Sequence, residues 1–110
     1  MTNPKFQMYK SGSEFRYRLR ARNGEIILQG EGYTSKQGCQ NGIASVKANA
    51  PYDSRYERKL ATNNQYYFVL KATNGEIIGV SETYTTAAAR DNGIEAVKRD
   101  APDAPTEDLT

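Results

Sequence analysis

The chain has 110 residues, 15 Lys and Arg against 13 Asp and Glu, one Cys, no His and no Trp. This length predicts a single domain. The lone Cys39 excludes an internal disulfide and fits a reducing compartment, and the lack of His excludes imidazole bases and His-based metal centres.

Phe6 to Tyr9 alternates weakly and predicts a short strand, closed by a turn at Ser11-Gly12-Ser13. Phe15 to Arg22 alternates strictly. Phe15, Tyr17, Leu19 and Ala21 fall on one face, and Arg16, Arg18, Arg20 and Arg22 on the other, which is the period of a half-buried strand. Asn23-Gly24 predicts a two-residue type I′ turn, since both residues tolerate positive φ. The return strand is Glu25 to Glu31. This turn sets Arg22 opposite Glu25, Ala21 opposite Ile26, Leu19 opposite Leu28 and Arg16 opposite Glu31. Each such pair contributes roughly 0.2–1 kcal/mol. Thr34 or Ser35 then caps a helix. Its apolar stripe is Cys39, Ile43, Val46 and Ala50, with Lys47 and Asn49 away from it and Pro51 ending it.

The plan returns 51 residues later: Leu19-Arg-Ala-Arg-Asn23-Gly24-Glu25-Ile26-Ile27 matches Leu70-Lys-Ala-Thr-Asn74-Gly75-Glu76-Ile77-Ile78. Glu31, Tyr33 and Thr34 return as Glu82, Tyr84 and Thr85, and Asn41-Gly42-Ile43 as Asn92-Gly93-Ile94. Tyr66, Phe68, Leu70 and Ala72 therefore face inward, with Ile77 opposite Ala72. Thr85 or Thr86 caps a second helix with the stripe Ala89, Ile94, Val97 and Ala101. Arg55 to Leu60 is a strand linking the units, and Pro105 to Thr110 is a short edge strand or a frayed tail. Repeat one spans about 5–54 and repeat two about 55–105. Two β-β-β-α units joined about a pseudo-twofold axis bury both inner faces and pair their exposed edges.

The aromatic-rich strand with "Leu-x-Ala-x-Asn-Gly-Glu-Ile-Ile", "Glu-x-Tyr-Thr" and "Gly-Ile-x-x-Val-Lys-x-x-Ala-Pro" resembles the YegP-like family of small bacterial proteins, in its tandem-repeat form. The resemblance covers nearly the whole chain. It implies an α+β fold in which tandem β3-α-β repeats form one antiparallel-rich sheet with two helices, the C-terminal strands being exchanged between repeats. It brings no activity, cofactor or catalytic residue.

No catalytic constellation is visible, and no cofactor or metal is expected. Cys39 reads as a core thiol, and Gly42 and Gly93 as close-packing positions on helices. Glu31 with Tyr33, and Glu82 with Tyr84, are the repeat-symmetric candidates. Paired carboxylates near a twofold axis suit acid–base work, whereas a corner of packed tyrosines and an Arg16–Glu31 pair is the structural alternative. The sharper candidate is the stripe Arg16, Arg18, Arg20 and Arg22. It is spaced at roughly 6.6 Å, with Tyr67 and Lys71 at equivalent places in the second unit. Arginine forks suit phosphate, and an aromatic ring offers a stacking surface for bases. A solvated strand face is the alternative. Val69, Ile78 and Val80 form an apolar patch on the same outer face, open to a partner or covered by a terminal segment.

The segment after Met1 is polar, without the apolar run of a signal peptide, and no stretch approaches the ~20 apolar residues of a membrane span. The expectation is a soluble, cytoplasmic, monomeric protein without membrane contact. It acts as a non-enzymatic binding or interaction domain whose partner, a protein or a nucleic acid, is unassigned, or alternatively binds single-stranded RNA or DNA through the arginine-lined face.

Overall fold

The computed structural model describes residues 3–110. Among these, the elements follow as β1 (Lys5–Ser11), β2 (Glu14–Arg20), β3 (Ile26–Gln29), α1 (Lys36–Asn49), β4 (Tyr56–Leu60), β5 (Tyr66–Lys71), β6 (Ile77–Val80), α2 (Ala87–Asp100) and β7 (Thr106–Asp108). The strands form one sheet in the order β4-β5-β6-β3-β2-β1-β7. Neighbours are antiparallel except β7, which runs parallel to β1. The fold is α+β and the repeats are tandem. The pseudo-twofold passes between β3 and β6, where Gln29 pairs with its own counterpart Val80. The C-terminal strand β7 crosses to the first repeat, so Pro105 to Thr110 supplies an edge strand. β4 serves both as the strand after α1 and as the first strand of the second unit. The sheet therefore has seven strands where two complete β3-α-β motifs would give eight.

The hairpins differ from the predicted turn. Gly24 N–H bonds to Ala21 O, and Ala21 N–H to Glu25 O. The loop is thus the three residues 22–24, of which Gly24 alone has positive φ, +85°. This is a type I turn closed by a glycine bulge, not type I′. Asn23 Oδ1 accepts from Glu25 N–H at 3.0 Å, which holds the turn. The second repeat copies it with Asn74 and Gly75. The extra loop residue puts Arg20 opposite Ile26 and Lys71 opposite Ile77. A bulge one step later cancels the slip, so Leu19 meets Leu28 as expected. Because a one-residue shift reverses the side on which a residue points, Ile77 turns outward and is 39 % exposed, while Ile78 turns into the core. The expected Ala21–Ile26 and Ala72–Ile77 pairs do not form.

Both helices lie on the sheet face that carries Phe6, Met8, Tyr17, Leu19, Leu28, Phe68 and Leu70, all buried. Ser35 Oγ accepts from Gly38 N–H and Thr86 Oγ1 from Ala89 N–H, each at 3.0 Å, so the second of each pair of candidate caps is the cap. The stripe Cys39, Ile43, Val46 and Ala50 is buried as expected. Asn49 is buried too, against expectation. It accepts from Arg55 Nε at 3.0 Å and donates to Ser45 O at 2.8 Å, so its polar groups are satisfied without solvent. In α2, Ile94, Val97 and Ala101 are buried, while Ala89 is only partly so.

Each repeat builds the same aromatic row. Phe6, Tyr17 and Tyr33 pack edge to face and then stacked; Tyr56, Phe68 and Tyr84 repeat this with the central hydroxyl missing. The glycines of α1 and α2 make room for the last ring. A β-carbon at Gly42 would lie 2.8 Å from Tyr33 Cζ, and one at Gly93 2.8 Å from Tyr84 Cζ. The Tyr17 hydroxyl donates to Ile78 O of the other repeat, and Tyr56 OH to Ala50 O at 2.8 Å.

Candidate functional site

With both helices on one face, the other face of the sheet has no covering element among the described residues. Its central transverse row is Glu107, Gln7, Arg18, Gln29, Val80, Val69 and Glu57, taken from edge to edge. Arg16 and Arg20 flank the row on β2, and Tyr67 and Lys71 flank it on β5. Two strands separate β2 from β5, so the arginines and Tyr67 stand roughly 14 Å apart at ~4.8 Å per strand.

The arginine stripe is shorter than the alternation implies. Arg22 lies in the three-residue loop, beyond the regular strand, and reaches to the helix side, where its Nε donates to Asp100 Oδ1 at 3.0 Å. Arg16 takes its ion pair from Glu14 on its own strand at 3.2 Å, rather than from Glu31. A second irregularity at the hairpin base, where Phe15 bridges Tyr33, breaks the register that would have aligned Arg16 with Glu31. Lys71 pairs with Glu57.

Arg18 and Arg20 remain, and the residue that organises them is one the alternation pattern did not single out. Gln7 Oε1 accepts from Arg18 Nε at 2.8 Å and from Arg20 Nε at 2.7 Å, while its amide nitrogen donates to Glu107 at 2.7 Å. Two donors on one atom and an acceptor on the other leave only this orientation of the amide. Arg20 Nη1 also donates to Gly24 O at 2.7 Å, and the Arg18 guanidinium lies over Tyr9, 4.5 Å from its centroid. The sequence signal for Gln7 was available in its place between Phe6 and Met8, on the outward side of β1. Only the pairing of β1 with β2 puts it opposite Arg18.

The apolar part of the face is also rearranged. Val80 is 37 % exposed and joins Ile77 at the surface, whereas Val69 is buried among its neighbours and Ile78 is in the core. No terminal segment covers the patch among the described residues; β7 lies at the far edge. A groove of about 440 Å³ runs past Arg20, Ile26 and Glu82. It adjoins at Thr83 a second of about 460 Å³ lined by Leu60, Tyr67 and Val80.

The symmetric carboxylates are placed apart. Glu31 follows β3 and Glu82 follows β6, and these strands run in opposite directions from the Gln29–Val80 pair. Two residues each way separates them by roughly 13 Å. Both are exposed, and Glu82 accepts from Gln29 Nε2 at 2.5 Å. Burial pushes the phenols of Tyr33 and Tyr84 upward, which disfavours their ionised forms. Cys39 is buried and its thiol is likewise pushed up by burial, as befits a core residue. Among the described residues no group of three His, Cys, Asp or Glu is placed to hold a metal, and no helix is long and apolar enough to cross a membrane.

A family model described as a domain of unknown function, DUF1508, matches twice, at residues 10–57 and 61–108. A UPF0339 protein from the ptx operon 5′ region of Stutzerimonas stutzeri is 52% identical over 100 residues, covering 90% of each chain. The UPF0339 protein YegP of Escherichia coli K12 is 47% identical over 106 residues, covering 96% of each. The solution structure of a UPF0339 protein from Shewanella oneidensis superposes with a TM-score of 0.92 at 44% identity, over 99% of this chain and 93% of that one. The solution structure of yegP from E. coli, described as a protein of unknown function, gives 0.92 at 45% identity, over 100% and 96%.

Proposed function

The chain belongs to the DUF1508 family, shared with the UPF0339 proteins, and we propose that it is a non-enzymatic interaction module that meets its partner with the uncovered sheet face. One observation carries this reading: both helices pack on the same side, leaving a bare face that is cationic over β2 and apolar over β6. An exposed apolar patch rimmed by charge is the usual mark of an interaction surface. In this reading the contact would be made by Arg16, Arg18, Arg20, Ile77, Val80, Tyr67 and Lys71. The protein would act in the cytoplasm as a monomer, since two repeats already supply both halves of the sheet; sedimentation should give a single species of about 12 kDa.

The test is a pull-down at mild salt, comparing the natural chain with Ile77→Asp and Val80→Asp and identifying both protein and nucleic acid. A partner retained by the natural chain and lost by both variants supports the reading. Equal capture by all three overturns it. Turnover in a broad substrate screen that Glu31→Gln or Glu82→Gln abolishes would replace it with an enzyme.

The second reading, single-stranded RNA or DNA binding, is favoured by the terminal nitrogens of Arg18, which point to no carboxylate among the described residues. It predicts affinity that falls steeply with salt. Fluorescence anisotropy without binding at low salt, or with binding unchanged in Arg18→Ala and Arg20→Ala, excludes it.

A further inference from the structure

The two halves treat one position differently. β1 and β2 are joined by the two-residue loop Gly12-Ser13, β4 and β5 by the three-residue loop 62–64, in which Asn64 takes positive φ. The offset between the copies therefore drops from 51 to 50 across that hairpin. Phe6 pairs with Leu19 as Tyr56 pairs with Leu70, so the counterpart of Gln7 is Glu57. In the second half, the Glu57 carboxylate takes ion pairs from Lys59 and Lys71 and offsets one of their two charges. In the first half, the neutral Gln7 takes both arginines and neutralises neither.

This choice has a cost. Two like charges at about 4 Å repel by about 1 kcal/mol in water and more beside protein. A glutamate at position 7 would accept the same two bonds and offset one of the two charges, as Glu57 does, but it would give up the donor to Glu107 and face that carboxylate. Holding the two arginines does not by itself call for the glutamine. What the amide adds is order with the charge left over. It occupies the Nε edge of each guanidinium, Tyr9 supports the plane of Arg18, and Gly24 O holds one nitrogen of Arg20. Both terminal nitrogens of Arg18 and the Nη2 of Arg20 are left without a hydrogen-bond acceptor among the described residues. Glu107, which accepts from Gln7, feels the charge of Arg20. It lies across β1 from the arginines and is paired with Lys5 at 3.1 Å.

We propose that Arg18 and Arg20, held side by side by the Gln7 amide, form a seat for a phosphate group on the ligand of the open face. Two adjacent cations match a dianion, and arginine forks present paired donors to its oxygens. The seat rests on the reading of that face as a binding surface and narrows it.

The test is an NMR titration of the intact chain with inorganic phosphate at constant ionic strength. It follows the Nε–H signals of Arg18 and Arg20 and the Gln7 amide, with sodium acetate and sodium chloride as parallel arms. Saturable shifts in the phosphate arm are expected, with weaker ones from acetate and none from chloride. Gln7→Glu, which keeps both hydrogen bonds from the arginines, gives up the one donated to Glu107 and adds a charge, should weaken the response about tenfold or more, with the backbone spectrum showing that the fold is kept. Shifts that do not saturate, that chloride reproduces, that acetate equals, or that Gln7→Glu retains overturn the proposal. An oligothymidylate arm assigns the source. Binding at the same signals places the phosphate in a nucleic-acid backbone, and response to inorganic phosphate alone places it on a monoester. If the seat fails while Val80→Asp still abolishes partner capture, the seat falls and the binding face stands. The opposite pair of results keeps the seat and discards the wider face.

Discussion

On the helix side the two halves are nearly interchangeable: Phe6, Tyr17 and Tyr33 stand where Tyr56, Phe68 and Tyr84 stand, and each helix offers a glycine to the last ring. On the open side they differ residue by residue: Arg18 against Val69, Arg20 against Lys71, Gln29 against Val80, Gln7 against Glu57. The helix-side layer is constrained from both copies at once, because β3 and β6 pair across the axis and each helix packs on strands of both repeats. A change there must fit two environments. The open face meets only solvent or a partner, so its halves were free to part. The contrast locates whatever is particular to this chain on the open face and its symmetric scaffold behind.

The largest test breaks the agreement inside. Tyr17 differs from Phe68 by the hydroxyl that donates to Ile78 O, and the residue beneath it differs too: Gly30 in the first half, Ser81 in the second. A β-carbon at Gly30 would lie 2.6 Å from Tyr17 Cε1, whereas Ser81 fits and its Oγ accepts from Phe68 N–H at 2.9 Å. Gly30→Ser should therefore destabilise the fold by about 3 kcal/mol, the upper range for overpacking a core. Tyr17→Phe alone should cost about 1–3 kcal/mol, because the buried carbonyl of Ile78 loses its donor. The double variant copies the second half, and its loss should be smaller than the sum of the two. Urea unfolding of all four proteins measures this coupling. Strict additivity would show that ring and glycine are not a matched pair.

A middle-sized effect concerns the end of each helix. Asp100 is buried, with Arg99 on both its oxygens at 2.8 and 3.0 Å and Arg22 on one at 3.0 Å. Its counterpart Asn49 holds Arg55 without a charge. The hydrogen bonds from Arg99, opposed by burial, hold the Asp100 carboxyl below its usual 3.8. A depressed carboxylate contributes stability that is fully present above about pH 4 and is lost as pH falls through the folded value. Asp100→Asn should cost about 1 kcal/mol at neutral pH, since an acceptor remains and both arginines are half-exposed. The gap between variant and natural chain should then narrow below pH 4. Melting temperatures from pH 2 to 7 check this, and a gap that stays constant would mean that the charge contributes nothing.

The architecture was legible because the repeat repeats its punctuation. Asn-Gly turns, inward apolar residues and helix stripes recur together, and each reports a local constraint. What escaped the sequence is what depends on one residue more or less. Asn-Gly fits both a two-residue and a three-residue loop, and only the longer loop with its compensating bulge sends Ile77 out and Ile78 in. Arg22 continued the alternation on paper, but the strand ends at Arg20, and a buried carboxylate from the other repeat draws the side chain to the helix side. Gln7 stayed unseen because its meaning lies in the alignment of β1 on β2 and in an offset that changes from 51 to 50 at a loop. Neither is a local property of the chain.

The smallest effect on stability is the sharpest test of what the open face does. The Glu57 carboxyl is held down to about 2 by hydrogen bonds from Lys71 and then Lys59. Its contribution is therefore present above pH 4.5 and fades as pH falls toward 2. The side chain is half-exposed at the surface, so Glu57→Gln should lower the melting temperature least of these variants, and high salt should erase the difference. The variant also gives the second half what the first half has, a glutamine between two cations. Lysine, however, is a point charge without a fork, and the place of Arg18 is taken by Val69. Glu57→Gln should thus create no saturable phosphate response around Lys59 and Lys71, while the response at Arg18 and Arg20 stays as it was. A new response in the second half would mean that uncompensated charge alone recruits phosphate, and the geometry that Gln7 imposes on the two arginines would lose its claim to a role.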